Sequence, residues 1–351
     1  MDKKSLKLLL SLVAVAFIML FAVWAEGNLD GYQIRLLYMW GIYIIFVASF
    51  NLVYGYTGQF SLGHAGLAAI GAYTVALLLL SPEAKQLSFF IKPPVWPISV
   101  VQWPFLPSLI LAGILTAVVG FIIGAPALRL RGDYLLIATL GFSEIIRLLL
   151  CNMPGICNGA MGLKGIPQHT NLTWVAGLAI FTVFVVKRLI DSSYGRAMRC
   201  LKEDEIAAEA VGVNLFYHKI LAFVVSSFFV GIGGALMAEI LGTIDPNTFK
   251  PYLTYAVMIM AVLGGVESLT GGIIAAGIYT VMSELLRVVE SPRMIFGLDY
   301  PGIPGLRMLV FAVMLLLLIL FARQGLMGTK EFSWDWILSK VQGKEKGGQD
   351  S

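Results

Sequence analysis

The stretch Ile34–Gly66 reads IRLLYMWGIYIIFVASFNLVYGYTGQFSLGHAG, and its two parts decide the fold. The first is apolar over the roughly 20 residues that a helix needs to cross about 30 Å of hydrocarbon. The second interrupts the run with Gly55, Gly58, Gly63 and Gly66 and with polar Thr57, Gln59, Ser61 and His64 before hydrophobicity resumes. At membrane depth such backbone is tolerated only where protein buries it or a cavity solvates it. Gly58, Gln59, Ser61, Gly63, His64 and Gly66 are therefore candidates for the lining of a translocation path. A helix beginning near Ser61 would point partial positive charge back at the break, a favourable place for a substrate carboxylate to pass. An ordinary loop between two helices fits these residues equally well. His64 lies far in sequence from His169 and His218, so a hydrogen-bonded structural histidine is expected, with no metal site and no cofactor.

Similar apolar runs recur along the chain, near Leu6–Trp24, Ser61–Leu80, Phe105–Ala125, Tyr134–Leu150, Thr173–Val186, Ile220–Leu241, Leu253–Leu263, Ile273–Val289 and Ile303–Phe321. With Ile34–Tyr54 they make about ten spans. Hydrophobic residues are 58% of the 351 and charged ones 13%, with a mean hydropathy of +0.84, too few polar groups to cover a water-exposed surface. Strands in lipid would alternate in hydrophobicity, and these runs do not. The expected class is all-α: a polytopic transmembrane bundle, one domain over 1–328 followed by a cytoplasmic tail over 329–351. Lys3, Lys4 and Lys7 precede the first run as in a signal peptide, but the run is long and lacks a good cleavage site, so an uncleaved helix is expected.

Sixteen of the 25 lysines and arginines fall in alternate segments shared with the N-terminus, which places both termini in the cytoplasm. Basic residues border the helices instead of clustering on one soluble face, so the net charge of +4 gives no reason to expect nucleic acid. Two polar connections are long. Ser81–Pro104, on the outer side, is broken by five prolines and cannot be one helix. Asp191–Tyr217, on the inner side, contains Met198, Leu201, Ile206, Ala210 and Val211 at helical spacing among Arg196, Arg199, Lys202 and Glu209. This predicts a short amphipathic surface helix, preceded by Gly195 and stopped by Gly212. A connector packed on lipid headgroups is the plainer reading of the same pattern.

Glu144 with Arg147, and Glu284 with Arg287, put opposite charges three residues apart on a helix face and are expected to be structural pairs. Glu239 stands alone in its span, where it is expected to reach the interface. Cys151 and Cys157 share the outer side; a bond there is conceivable, and free thiols are the expectation. Nucleotide-binding P-loop, zinc-protease and nucleophile-elbow motifs are absent, so no enzyme activity is expected and any driving energy comes from an ion gradient or another subunit.

Several ordered motifs bear a family likeness. Gly58-Gln59-Phe60-Ser61-Leu62-Gly63-His64-Ala65 with Ile70-Gly71-Ala72-Tyr73 resembles the signature of the branched-chain amino-acid permeases of bacterial ABC importers, the longer of the two in particular. Leu128–Tyr134, Gly141–Arg147, Gly162–Pro167, Gly195–Arg199, Ala207–Gly212 and Arg323–Gly328 extend the likeness over about residues 35–328. The resemblance implies a type II importer architecture in the inner membrane, with a second related permease, two cytoplasmic ATPases and a periplasmic binding protein as partners alongside the bilayer. It makes the inner helix a coupling segment within 191–217, in which Gly195, Arg196, Arg199, Lys202, Ala207, Glu209 and Gly212 would set the docking on an ATPase. Leucine, isoleucine and valine are the implied cargo. Asn158-Gly159-Ala160-Met161-Gly162 departs from the expected threonine- and glycine-rich run, which leaves other amino acids, urea or short amides as alternatives. An ATP-independent secondary transporter is the rival from another class.

Overall fold

A computed structural model of the chain describes residues 3–89, 92–130, 132–290, 293–295, 298–300, 305–321, 325–328 and 331. Arg131, Ile303, Arg323, Gln324 and, apart from Glu331, the tail from 329 onward lie outside the described residues. Apolar runs become helices because lipid offers the backbone no partner, so each N–H and C=O must be satisfied within its own segment. In order these are α1 (Lys3–Asn28), α2 (Gly31–Phe50), α3 (His64–Leu79), α4 (Pro82–Ser88), α5 (Phe105–Ala127), α6 (Asp133–Asn152), α7 (Pro154–Cys157), α8 (Leu172–Asp191), α9 (Ser193–Glu203), α10 (Glu205–Ala210), α11 (Leu215–Leu241), α12 (Pro251–Gly264), α13 (Leu269–Glu290) and α14 (Leu306–Phe321). Short antiparallel pairs join β1 (Leu163–Lys164) to β2 (Thr243–Ile244) and β3 (Arg293–Ile295) to β4 (Leu298–Tyr300).

Each of the ten expected segments falls on a helix, but they do not qualify equally as spans. Among the described residues seven helices are long and apolar enough to cross a membrane: α1, α2, α5, α6, α8, α11 and α13. An eighth is counted if α3 and α4, bent by 119° across their break, form one span. The helices α12 and α14 have only 14 and 16 residues. Broken and shortened helices of this kind persist where neighbours supply the missing backbone partners.

Helix α11 is the axis of the bundle. It is apolar on all sides, as a helix surrounded by others must be. Its ends are set by Asn214, whose Oδ1 accepts from the Tyr217 N–H at 3.0 Å, and by Gly242 at φ +66°. The helices α3 and α5 pack on it through glycine. A Cβ at Gly71 would lie 2.1 Å from the Gly231 carbonyl oxygen, and one at Gly234 would lie 2.1 Å from that of Ala68, so α3 and α11 touch backbone to backbone. Helix α1 sits at the edge against α8 and leaves Leu12, Phe17 and Leu20 exposed, as a lipid-facing helix does.

The connections gather at two opposite ends. At one, the Val95 N–H donates to the Gly155 carbonyl at 3.0 Å, Asn158 Nδ2 donates to the Ser88 carbonyl at 2.8 Å, and β1 pairs with β2. At the other, the Arg129 guanidinium lies 5.9 Å from the Phe216 ring centre, and the Leu326 N–H donates to the Leu263 carbonyl at 2.8 Å. The loop Ser81–Pro104 is not one helix: α4 ends in turns, and the Lys85 ammonium inside it bonds the carbonyls of Ile98 and Val101. Cys151, Cys157 and Cys200 are unbonded.

Replacing Gly71 or Gly234 with Val is expected to destabilise the bundle by about 1–3 kcal/mol, because backbone must move to admit the side chain. Gly141→Val, with nothing within 4 Å of the added atom, is the control. Thermal unfolding of the detergent-solubilised protein should show a lower Tm for the first two variants and an unchanged one for the third.

Candidate functional site

The polar break between α2 and α3 is the first candidate. Helix α2 runs on through a wide π turn at Asn51–Gly55 and stops, and the chain is non-helical from Gly58 to Gly63. Gly58 is exposed and left-handed, at φ +69°. Gln59, Ser61, Gly63, His64 and Gly66 are buried. Three N–H groups of the break and of the first turn of α3 are taken up by hydroxyls from other helices. Leu62 donates to Thr139 Oγ1, Ala65 to Thr254 Oγ1 and Gly66 to Ser143 Oγ, each at 2.9 Å. Thr139 and Ser143 stand four residues apart on one face of α6, and Thr254 comes from α12.

In this conformation hydroxyls hold the Ala65 and Gly66 N–H groups at the start of α3. A small cleft lies alongside, lined by Gly63, Leu67, Thr139, Ser143, Ile146 and Phe223, with room for about one water and none for an amino acid. His64 differs from expectation. It is buried, its ring centre is 5.1 Å from that of Phe50, and neither ring nitrogen has a hydrogen-bond partner among the described residues. Its place at the first position of α3 turns the ring onto apolar α2 instead of toward the hydroxyls.

The second candidate is the amphipathic segment. It is two helices, not one, because Asp204 adopts an extended backbone, φ −155° and ψ 113°, and caps α10 by accepting from the N–H groups of Ile206 at 2.8 Å and Ala207 at 3.1 Å. The expected single apolar face divides as a result. Met198 and Leu201 of α9 are buried against the bundle, whereas Ile206 and Val211 are 73% and 75% exposed. Gly195 does not precede the helix. It lies inside α9, buried, where a Cβ would sit 2.1 Å from the Ile190 carbonyl oxygen. Gly212 does end the segment, at φ +83°. Arg196, Arg199, Ala207 and Glu209 are exposed; Lys202 is half-buried and turns inward to an ion pair with Glu267.

The two candidates, 130 residues apart in sequence, meet in space. A Cβ at Gly58 would lie 3.2 Å from Lys202 Cγ. The Arg199 guanidinium sits 5.5 Å from the centre of the Tyr56 ring, and the Tyr56 hydroxyl donates to the Glu267 carbonyl at 2.5 Å. Neither Tyr56 nor Glu267 stands out in the sequence, since the first lies among the residues of the break and the second in the link between two apolar runs.

A sequence profile described as the branched-chain amino acid transport system permease component matches residues 32–320. The chain belongs to that family. It is 34% identical to the high-affinity branched-chain amino acid transport system permease protein LivM of Salmonella typhimurium over 313 residues, 80% of this chain and 68% of the relative. It is 35% identical to the protein of the same name from Escherichia coli, over 79% and 68% of the two chains. The probable branched-chain amino acid transport permease protein LivM of Methanocaldococcus jannaschii is 27% identical over 85% of this chain and 94% of its own. No solved structure matches. The family makes the chain a multi-pass component of a transporter, not a catalytic enzyme.

Two opposite-charge pairs lie three residues apart on single helices of the permease. Arg147 lies 2.8 Å from Glu144, and Arg287 lies 2.9 Å from Glu284. Glu239 is corrected: it does not reach an interface but is 1% exposed, accepting from the His169 N–H at 3.1 Å and the Thr170 hydroxyl at 2.9 Å, which ties the start of α8 to the end of α11. Among the described residues no three His, Cys, Asp or Glu side chains converge as metal ligands would. Ser143→Ala and Thr254→Val are each expected to cost about 1 kcal/mol by freeing a buried N–H. The measurement is the Tm of the purified permease, with the double variant lower than either single one.

Proposed function

We propose that this permease is the membrane-spanning subunit of an ATP-driven ABC importer that carries leucine, isoleucine and valine by alternating access. Its partners are a second related permease, two cytoplasmic ATPases that supply the energy, and a periplasmic binding protein that delivers the cargo. The chain is a single permease domain of about ten spans in a bacterial inner membrane, α12 and α14 included, with both termini in the cytoplasm. The short α12 is packed inside the protein, where it need not match the full bilayer. Glu144–Arg147 and Glu284–Arg287 are structural pairs.

The observation that carries this reading is the exposed face of α9 and α10. Arg196, Arg199 and Glu209 are exposed on the same segment as Ile206 and Val211, which no described residue covers. Exposed apolar side chains rimmed by charge mark a protein contact, with the charges fixing register and the apolar pair giving buried area. In this reading 191–217 is the coupling loop. ATP binding draws the ATPases together, pushes on that face and moves the bundle between two states. The break at 58–63 with Gly66 lies on the translocation path and opens when α6 or α12 withdraws its hydroxyls. The small cleft beside it fits a closed state.

The natural Cys200 gives a direct test, because it is exposed on α9. Burial pushes the Cys157 thiol up to about 12, so it stays protonated and unreactive at neutral pH, and Cys151 is removed as Cys151→Ser. A membrane-impermeant maleimide should label Cys200 in inside-out vesicles and not in intact spheroplasts, and co-purified ATPase should protect it. Labelling from the periplasmic side would overturn the assignment. In a second test, Ala207→Arg with Glu209→Lys should leave the permease inserted and lower uptake of radiolabelled leucine about tenfold or more, as charge reversal at a contact centre does.

A further inference from the structure

The turn Gly265–Ser268 between α12 and α13 touches more of the inner end than a four-residue link needs to. Glu267 at its tip forms the ion pair with Lys202 of α9 through its carboxylate, while its own carbonyl accepts from the Tyr56 hydroxyl. Asn51 Nδ2 donates to the Ser268 carbonyl at 3.3 Å, and a Cβ at Gly55 would lie 2.0 Å from the Val266 carbonyl oxygen. The turn is therefore pressed against the π turn that ends α2, one step before the break. From the other side, Met198 of α9 is seated in a separate apolar cluster with Leu52 and Tyr56 of the α2 extension and Leu269 of α13. Helix α9 thus has an apolar seat, the Arg199 guanidinium over the Tyr56 ring and an ion pair from Lys202 on the elements that frame the break.

We infer that Glu267 is a positioning residue through which a displacement of α9 reaches the polar break between α2 and α3. The inference rests on the proposed docking of an ATPase on α9 and α10. The physical reason is directionality. An apolar seat tolerates sliding, whereas an ion pair with a hydrogen bond on the same residue's carbonyl holds α9, the turn and Tyr56 in one register. Lys202, read from sequence as a docking residue, then acts inward as the lever between α9 and the turn. A push on α9 would carry Glu267 and with it the hydroxyl of Tyr56, two residues before Gly58. Left-handed Gly58 supplies the backbone freedom to respond.

The test uses the transporter with the subunits that co-purify from native membranes, comparing Lys202→Met, Glu267→Gln, the charge-swapped pair K202E/E267K, and Lys202→Arg. Three quantities are read: ATPase retained with the permease, ATP hydrolysis in proteoliposomes, and leucine taken up per ATP hydrolysed. Both single variants should keep the ATPase bound and hydrolysing and lower the uptake-to-hydrolysis ratio at least about 5-fold, the lower range of energetic coupling between sites. The arginine variant and the swapped pair should recover most of it, which a merely destabilising change would not allow. If the ratio in Glu267→Gln equals that of the unaltered chain with ATPase bound, or if the swapped pair stays as low as the singles, the inference is wrong. Failure of the unaltered permease to retain any ATPase would instead overturn the docking reading on which it rests.

Discussion

The structure depends on satisfying the backbone N–H groups of a broken helix inside an apolar bundle. Between Gly58 and Gly66 the chain leaves helical geometry where no lipid atom can replace the lost partners, and each unpaired buried group would cost several kcal/mol. Hydroxyls from Thr139, Ser143 and Thr254 take that role. Because they come from α6 and α12, the break also binds those helices to α3. A motif that reads in isolation as a loop is thereby tied to two other helices.

The amphipathic segment lies within reach of the break. Helix α9 rests on the bundle through Met198 and Leu201, while Ile206 and Val211 on α10 face away from it. This division comes from one residue, Asp204, whose extended backbone and side-chain cap turn a would-be continuous helix into two with different aspects. The link from Lys202 to Glu267 and on to Tyr56 joins α9 to the break.

The apolar runs, the polar break and the amphipathic segment are legible in the sequence because each is a local pattern: about 20 apolar residues, clustered glycine and hydroxyl side chains, charge alternating with hydrophobicity at helical spacing. The ordered motifs identified the family for the same reason. Span number was less legible, because α12 and α14 are too short to meet a length rule that assumes a lone helix in lipid. Charges within three residues, such as Glu144 and Arg147, could be paired on paper. Glu239 could not be, since its partners His169 and Thr170 lie on a loop about 70 residues away.

By itself, the sequence determined that this chain is a helical membrane protein, where its helix is broken, which surface segment carries charge and which transport family it joins. All of these follow from composition and near-neighbour spacing, which act through hydrogen bonding and hydration over a few residues. Only the tertiary structure decided that hydroxyls from α6 and α12 occupy the start of α3, that the amphipathic segment divides at Asp204, and that Lys202 faces Glu267. The first and last of these depend on contacts between residues 65 to 189 positions apart, such as Lys202 with Glu267 and Ala65 with Thr254. Such contacts arise only when glycine faces let α3, α5 and α11 close to backbone distance, and no local pattern encodes which hydroxyl or carboxylate will then be the nearest partner.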